Sequence, residues 1–263
     1  MRTVTSKDGT TIAYDQTGMG PALILVGGAL SERSAAIPMA GMLAPNFSVY
    51  GYVRRGRGDS GDTPPYAVER EIEDIAALIE RAGGSADLYG MSSGAVLALR
   101  AAAHGLPVAK LAMYEPPVII DDVRSPVPQD YVTHLGELAS AGQRGEAVEY
   151  FMTTAVEVPL AMVAEMRAAP MWPGMEAVAH TLAYDGAVMG DMMSGDRTTI
   201  QQFASVTTPT LIMDGGASPE WMHNSVQALV DVLPNTRRLT LAGQTHAVDP
   251  NLLVPVLQAF FAE

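Results

Sequence analysis

The chain has no cysteine among its 263 residues. That excludes disulfides, thiolate metal sites and cysteine nucleophiles, and leaves serine, histidine and carboxylates to carry any chemistry. Positive charge is also scarce, with 16 lysines and arginines against 29 aspartates and glutamates and a formal net charge of −13. Without a clustered basic stripe, such a chain is repelled by nucleic acid and by anionic membranes, so neither partner is expected. No apolar run approaches the length that crosses a bilayer, and Met1 to Asp8 lacks the apolar core of a signal peptide. A cytoplasmic location is the expectation. Internal repeats, low-complexity tracts and clusters of metal-ligating side chains are absent too, and neither metal nor cofactor is expected.

What is present is a 48% hydrophobic content, ample for the core of one large α/β domain or two small ones. Ala22–Val26 is continuously apolar, as in a strand buried on both faces of a parallel sheet. Thr10–Tyr14, Phe47–Val53, Val108–Tyr114, Thr210–Asp214 and Arg238–Leu241 also read as strands. Val68, Ile72, Ile75 and Ile79, spaced four, three and four, predict an amphipathic helix whose intervening charges form a solvated face. Glu220–Val232 reads as a helix with Ser218 as N-cap and Pro219 as its first position. Asp249-Pro250 opens a last helix through Phe260. From 118 to about 202 the alternation gives way to short helices divided by proline and glycine, holding half of the 16 methionines. Flexible thioethers suit an adaptable apolar pocket, or simply fill the insert's own core.

The chain is organised around Tyr89-Gly90-Met91-Ser92-Ser93-Gly94, an apolar run that turns directly into the alanine-rich stretch Ala95–Ala103. The order is strand, turn, helix. Gly90 and Gly94 flank Ser92 at minus and plus two, the spacing of a nucleophile elbow, where small neighbours let the backbone hold one hydroxyl exposed. The free N–H groups that begin the next helix suit an oxyanion above Ser92. Taken alone, the same residues also make an ordinary glycine-rich turn. Gly27-Gly28-Ala29, after the first buried strand, has little side chain to block its own N–H groups. In Arg54 to Gly61 the glycines at 56, 58 and 61 match a dinucleotide spacing, but Asp62-Thr63-Pro64-Pro65 stands where the phosphate-binding helix should begin. That motif is rejected, and the tripeptide Arg57-Gly58-Asp59 is read as coincidence.

The glycine loop, the arginine-glycine loop, the elbow, the insert and His246 beyond the last strand follow one another in an order that resembles the α/β-hydrolase superfamily. The likeness is greatest to its cofactor-free bromoperoxidase, esterase and dehalogenase-like branch. It implies an α/β fold with a mostly parallel eight-stranded sheet, helices on both faces and a helical cap. The core would be residues 1–117 and 203–263, and the cap 118–202. It further implies a serine hydrolase acting on a carboxylic ester, thioester or lactone through an acyl-enzyme. Ser92 would be the nucleophile and His246 its base, with the N–H groups of Gly28 and Ser93 as the oxyanion hole.

The acid departs from the family's pattern. Counting three residues from Gly215 gives Ser218, which cannot stabilise an imidazolium, and its capping role accounts for it. Glu115, after the sixth strand, resembles the acid position of some haloalkane dehalogenases and is favoured; Asp214 at the end of the seventh strand is the alternative. Asp249 is read as an N-cap. Val26 stands where relatives often carry histidine, and Val53 where they often carry aspartate. The expected substrate is a small apolar or amphipathic acyl compound touched by Ala29, Met91, Met171, Trp172 and Met189. The same fold also hosts lyases, C–C hydrolases, cofactor-free oxygenases or perhydrolases, and non-catalytic small-molecule receptors.

Overall fold

Strands rich in valine, leucine and isoleucine assemble into one sheet whose two faces are both covered. The computed structural model describes residues 1–263. In chain order the first half runs β1 (Arg2–Thr5), β2 (Thr11–Thr17), β3 (Ala22–Val26), α1 (Arg33–Leu43), β4 (Ser48–Tyr52), α2 (Val68–Arg81), β5 (Ala86–Met91), α3 (Ser93–Ala103) and β6 (Val108–Tyr114). Helices α4 (Tyr131–Ser140), α5 (Arg144–Tyr150), α6 (Leu160–Arg167), α7 (Trp172–Val178) and α8 (Leu182–Met189) follow. The chain closes with β7 (Thr210–Gly215), α9 (Glu220–Val232), β8 (Thr236–Leu241) and α10 (Pro250–Ala262). The sheet order is β1-β2-β4-β3-β5-β6-β7-β8. β1 and β2 are antiparallel to their neighbours, and every pair from β4 through β8 is parallel.

The period-two geometry of a strand sorts its side chains between two layers. Ile24, Val26, Leu88, Leu111 and Met113 face the core shared with α2, α3 and α9. Leu23, Leu25, Tyr89, Ala112 and Tyr114 face the opposite core, with Ala40 and Leu43 of α1 and Leu257 and Phe261 of α10. This two-sided burial is why the central strands carry no polar alternation. No helix is long and apolar enough to cross a membrane.

Two elements lie outside what the pattern announces. β1 is a four-residue edge strand with mostly exposed side chains, and α1 carries Pro38 within it. The solvated face expected on α2 is also only partial, because Glu71 and Asp74 are buried. Arg54 grips Glu71 at 2.6 Å and Arg55 grips Asp74 at 2.7 Å, so both carboxylates leave water paired. All three arginines of that loop are buried, which keeps the Arg57-Gly58-Asp59 tripeptide from display.

Between β6 and β7 the helices α4 to α8 build a small core of their own around Tyr131, Leu135, Val148, Trp172 and Leu182. Met152, Met166 and Met175 pack against it, Met192 joins the main core, and Met162 and Met171 are exposed. Most of the methionines therefore fill space. A π-helical turn, Phe151–Ala155, interrupts the run after α5.

Candidate active site

Ser92 sits between β5 and α3 with φ 57° and ψ −130°, a conformation that a residue with a side chain rarely adopts. Its flanking glycines are obligatory. A Cβ on Gly90 would lie 2.5 Å from the Gly94 carbonyl oxygen and 2.6 Å from Ala95 Cα, and one on Gly94 would strike the Val26 and Gly27 carbonyls. The turn closes only without those atoms, which leaves the Ser92 side chain uncommitted to its own helix.

His246 follows β8 and reaches the same cavity as Ser92. Its loop is pinned by the Tyr114 hydroxyl, which donates to the Thr245 carbonyl at 2.7 Å. Gly215 lets that loop pack against the end of β7, since a Cβ there would meet the Gln244 carbonyl. The Nδ1 of His246 lies 2.7 Å from Oε2 of Glu115, whose side chain is 1% exposed. Glu115 itself has φ 48°, so the chain twists out of β6 at this residue and turns the carboxylate toward the histidine. Its other oxygen accepts from the Gly215 N–H at 2.8 Å and from the Ser218 hydroxyl at 2.5 Å. Burial pushes the Glu115 carboxyl up, but the bonds from His246, Ser218 and Gly215 outweigh it and hold the group below the usual glutamate range.

Asp214 is directed elsewhere. Its carboxylate meets His223 at 2.7 Å, Arg238 at 2.6 Å and the Thr240 hydroxyl at 2.6 Å. Asp214 follows Met213, which faces the α1 and α10 layer, so alternation turns Asp214 to the opposite side, where α9 carries His223. Ser218 is likewise not the N-cap of α9; Pro219 holds that position, and the Ser218 hydroxyl is spent on Glu115. Asp249 does cap α10, accepting from the Asn251 N–H at 2.9 Å.

The Gly27-Gly28-Ala29 loop lies against the elbow, with Gly28 so close that a Cβ on it would be 2.9 Å from Ser92 Cβ. Its peptides are oriented from behind. Arg54 donates to the Gly27 carbonyl at 3.3 Å, and Arg57 and the Ser31 hydroxyl each donate to the Gly28 carbonyl at 2.7 Å. In a trans peptide the N–H points opposite to the C=O, so these contacts turn the N–H groups of Gly28 and Ala29 away from the arginines. Asp185 of α8 bridges both guanidiniums, at 2.5 Å from Arg54 and 2.6 Å from Arg57, with Glu71 supplying the second negative charge, and it accepts from the Ser93 hydroxyl at 2.7 Å. Burial alone would raise Asp185; Arg54 and Arg57 override it and keep the carboxyl below its ordinary value. Nothing in the sequence near residue 185 signals this cluster, whose members are far apart along the chain.

The cavity measures about 380 Å³, and Ala29, Ser92, Ser93, Glu115, Met189 and His246 all line it. Tyr131, Phe151 and Trp221 add aromatic walls that the sequence did not single out. Three of the expected substrate contacts lie elsewhere. Met171 is exposed on the outside of the insert. Trp172 is buried in the insert's own core, its indole N–H donating to Glu176 at 2.9 Å. Met91 points into the layer beneath, against the α1 and α10 side of the sheet. Met91 ends β5 two residues after Tyr89 and so shares its strand face.

Residues 6–253 match the model of a family described as the alpha/beta hydrolase family. Among solved structures, an alpha/beta hydrolase from Sphaerobacter thermophilus is 59% identical, with a TM-score of 0.92 over 99% of this chain and 100% of that one. An N-formylmaleamate deformylase from Pseudomonas putida is 32% identical over 207 residues, 76% of this chain and 72% of the relative. An enol-lactonase from Burkholderia xenovorans shares the fold at 19% identity and a TM-score of 0.72, with 100% of both chains covered. The match of residues 6–253 to the family model, with the strand order and the strained Ser92 turn, establishes that the chain belongs to the alpha/beta hydrolase family.

Proposed function

We propose that the protein is a serine hydrolase that cleaves a carboxylic ester, thioester or lactone through an acyl-enzyme. The observation that carries this reading is the 2.7 Å contact of Glu115 with His246 Nδ1, at a cavity shared with the strained Ser92. In this reading Glu115 fixes the His246 tautomer with Nε2 unprotonated and stabilises the imidazolium that forms. The Ser92 hydroxyl turns toward Nε2 as substrate binds, gives up its proton and attacks the acyl carbon. The N–H groups of Gly28 and Ser93, with the N-terminus of α3, receive the charge that develops on the carbonyl oxygen. His246 then protonates the leaving group and, in the second half-reaction, activates the water that frees the acid.

Residues 118–202 act as a cap over this site, and the mostly apolar cavity of about 380 Å³ beside them suits a small acyl group. A related reading, cleavage of an acyl–nitrogen bond, is favoured by the deformylase relative at 32% identity. It uses the same groups and differs only in the atom that His246 protonates. The test is labelling with a fluorophosphonate followed by peptide mass spectrometry. The adduct is expected on Ser92, absent from Ser92→Ala, and slowed in Glu115→Gln; an unlabelled wild type would overturn the acyl-serine reading.

A further inference from the structure

Apart from the Tyr131 phenol, the ionisable side chains lining the cavity are Glu115, Glu157, Asp185 and His246; no lysine or arginine lines it. The nearest arginines are committed. Arg54 and Arg57 share Asp185, and Arg54 also holds Glu71. Arg124 donates to the carbonyls of Ala155 at 2.9 Å and Thr154 at 3.1 Å and lies over the Trp221 ring at 4.6 Å. Its Nε forms an ion pair with Glu157 at 3.6 Å, beyond hydrogen-bond reach, so Glu157 is only partly balanced and Arg124 itself does not line the cavity. His246 faces Glu115 with its Nδ1, so any positive charge it gains is matched by that carboxylate.

Glu157 stands where the π-helical turn ends, with its side chain 44% exposed and its backbone at φ 62°. A left-handed conformation disfavours glutamate relative to glycine, so the site holds this side chain at some cost. The other walls are apolar, from Phe151, Val156, Met189, Met193, Trp221 and Met222.

We propose that the site admits uncharged acyl substrates and rejects those that carry a carboxylate on the acyl chain, with Glu157 at the rim setting much of the discrimination. The proposal rests on the acyl-serine reading for its reaction, while the charge selectivity belongs to the cavity itself. A carboxylate entering this space loses its hydration and finds no cation to replace it. It also approaches the Glu157 carboxylate at the rim, whereas the charge of Asp185 is already paired with Arg54 and Arg57.

The experiment compares nitrophenyl hexanoate with mono-nitrophenyl adipate, which differ by a terminal carboxylate in place of a methyl group. The ratio of kcat/KM is expected to favour hexanoate by roughly 100-fold in the wild type and to fall about tenfold in Glu157→Gln, through faster turnover of the adipate. Measurable and equal turnover of the two esters, or a ratio unmoved by Glu157→Gln, would overturn the proposal. Binding separates this claim from the reaction. Titration of Ser92→Ala with hexanamide and with adipic acid monoamide, followed by tryptophan fluorescence, is expected to show the neutral amide bound at least tenfold more tightly. If that preference holds while the wild type hydrolyses neither ester, the selectivity stands and the acyl-serine reading falls; equal binding overturns the selectivity whatever the turnover.

Discussion

The Ser218 hydroxyl donates to Glu115 Oε1 at 2.5 Å, joining the end of β7 to the carboxylate at the end of β6. Ser218 occupies the place where the family resemblance puts an acid, and Glu115, the carboxylate that meets His246, stands one strand away. The serine thus supports the carboxylate that replaces it. A hydrogen bond to a charged group is worth about 1.5–3 kcal/mol. Ser218→Ala is therefore expected to lower kcat by roughly tenfold with little change in KM, because orientation of His246 is lost and substrate contacts are not. Steady-state kinetics on nitrophenyl hexanoate checks this, and an unchanged kcat would separate Ser218 from the chemistry.

Gly28 faces Ser92 with no room for another carbon. Its φ lies outside the left-handed region, so Gly28→Ala is tolerated by the backbone, but the new Cβ would lie 2.9 Å from Ser92 Cβ. The expected outcome is a fall in kcat of about 100-fold, the scale of losing an oxyanion donor, with the thermal midpoint shifted by only a few degrees. Circular dichroism melting beside kinetics distinguishes this from general unfolding.

Asp214 belongs to stability. Burial pushes its carboxyl up, but Thr240, His223 and Arg238 outweigh burial and hold it below the ordinary aspartate value. A depressed carboxyl stabilises the fold above its unfolded-state value, and that stabilisation is lost as pH falls through the folded one. Asp214→Asn is expected to cost about 2–4 kcal/mol in urea unfolding at pH 7, with the gap to wild type closing toward pH 3. A constant gap across that range would contradict the assignment.

Asp87 works in the opposite direction. It lies on β5 with 7% exposure, and burial raises it to about 6, with Lys110 and its backbone N–H only partly offsetting. A raised carboxyl is neutral in the fold before it is neutral in the unfolded chain, so the destabilisation grows as pH climbs from about 4 to about 6 and persists above. Asp87→Asn should stabilise the protein by roughly 1–3 kcal/mol at pH 8 and by little at pH 4. Guanidinium titrations at the two pH values test the difference.

Much of this architecture is legible in the residues. Continuous apolar strands such as Ala22–Val26 announce a sheet buried on both faces, and Gly90 and Gly94 around Ser92 announce a turn no larger residues could make. His246 is legible because it is the histidine that follows a core strand in a loop. That Glu115 and not Asp214 meets His246 was suggested only by the resemblance, since nothing local distinguishes the two; the left-handed backbone at Glu115, which turns its carboxylate to the histidine, has no signature in the residues. The Arg54, Arg57, Glu71 and Asp185 cluster was hidden because helical periodicity assigns charges to solvent, while three chain segments bury them together. Substrate contacts were read least well. A hydrophobic residue in the insert has the same signature whether it lines a cavity, like Met189, or the insert's interior, like Trp172.

The central claim is that Ser92, His246 and Glu115 form an acyl-transfer relay in which Asp214 has no part. The measurement that tests it most directly is pre-steady-state release of nitrophenol from nitrophenyl hexanoate by wild type, Ser92→Ala, Glu115→Gln and Asp214→Asn. The account predicts a stoichiometric burst in the wild type, none in Ser92→Ala, acylation slowed by roughly 1,000-fold or more in Glu115→Gln, and a burst rate within a few-fold of wild type in Asp214→Asn. A burst that survives Glu115→Gln but collapses in Asp214→Asn would contradict it.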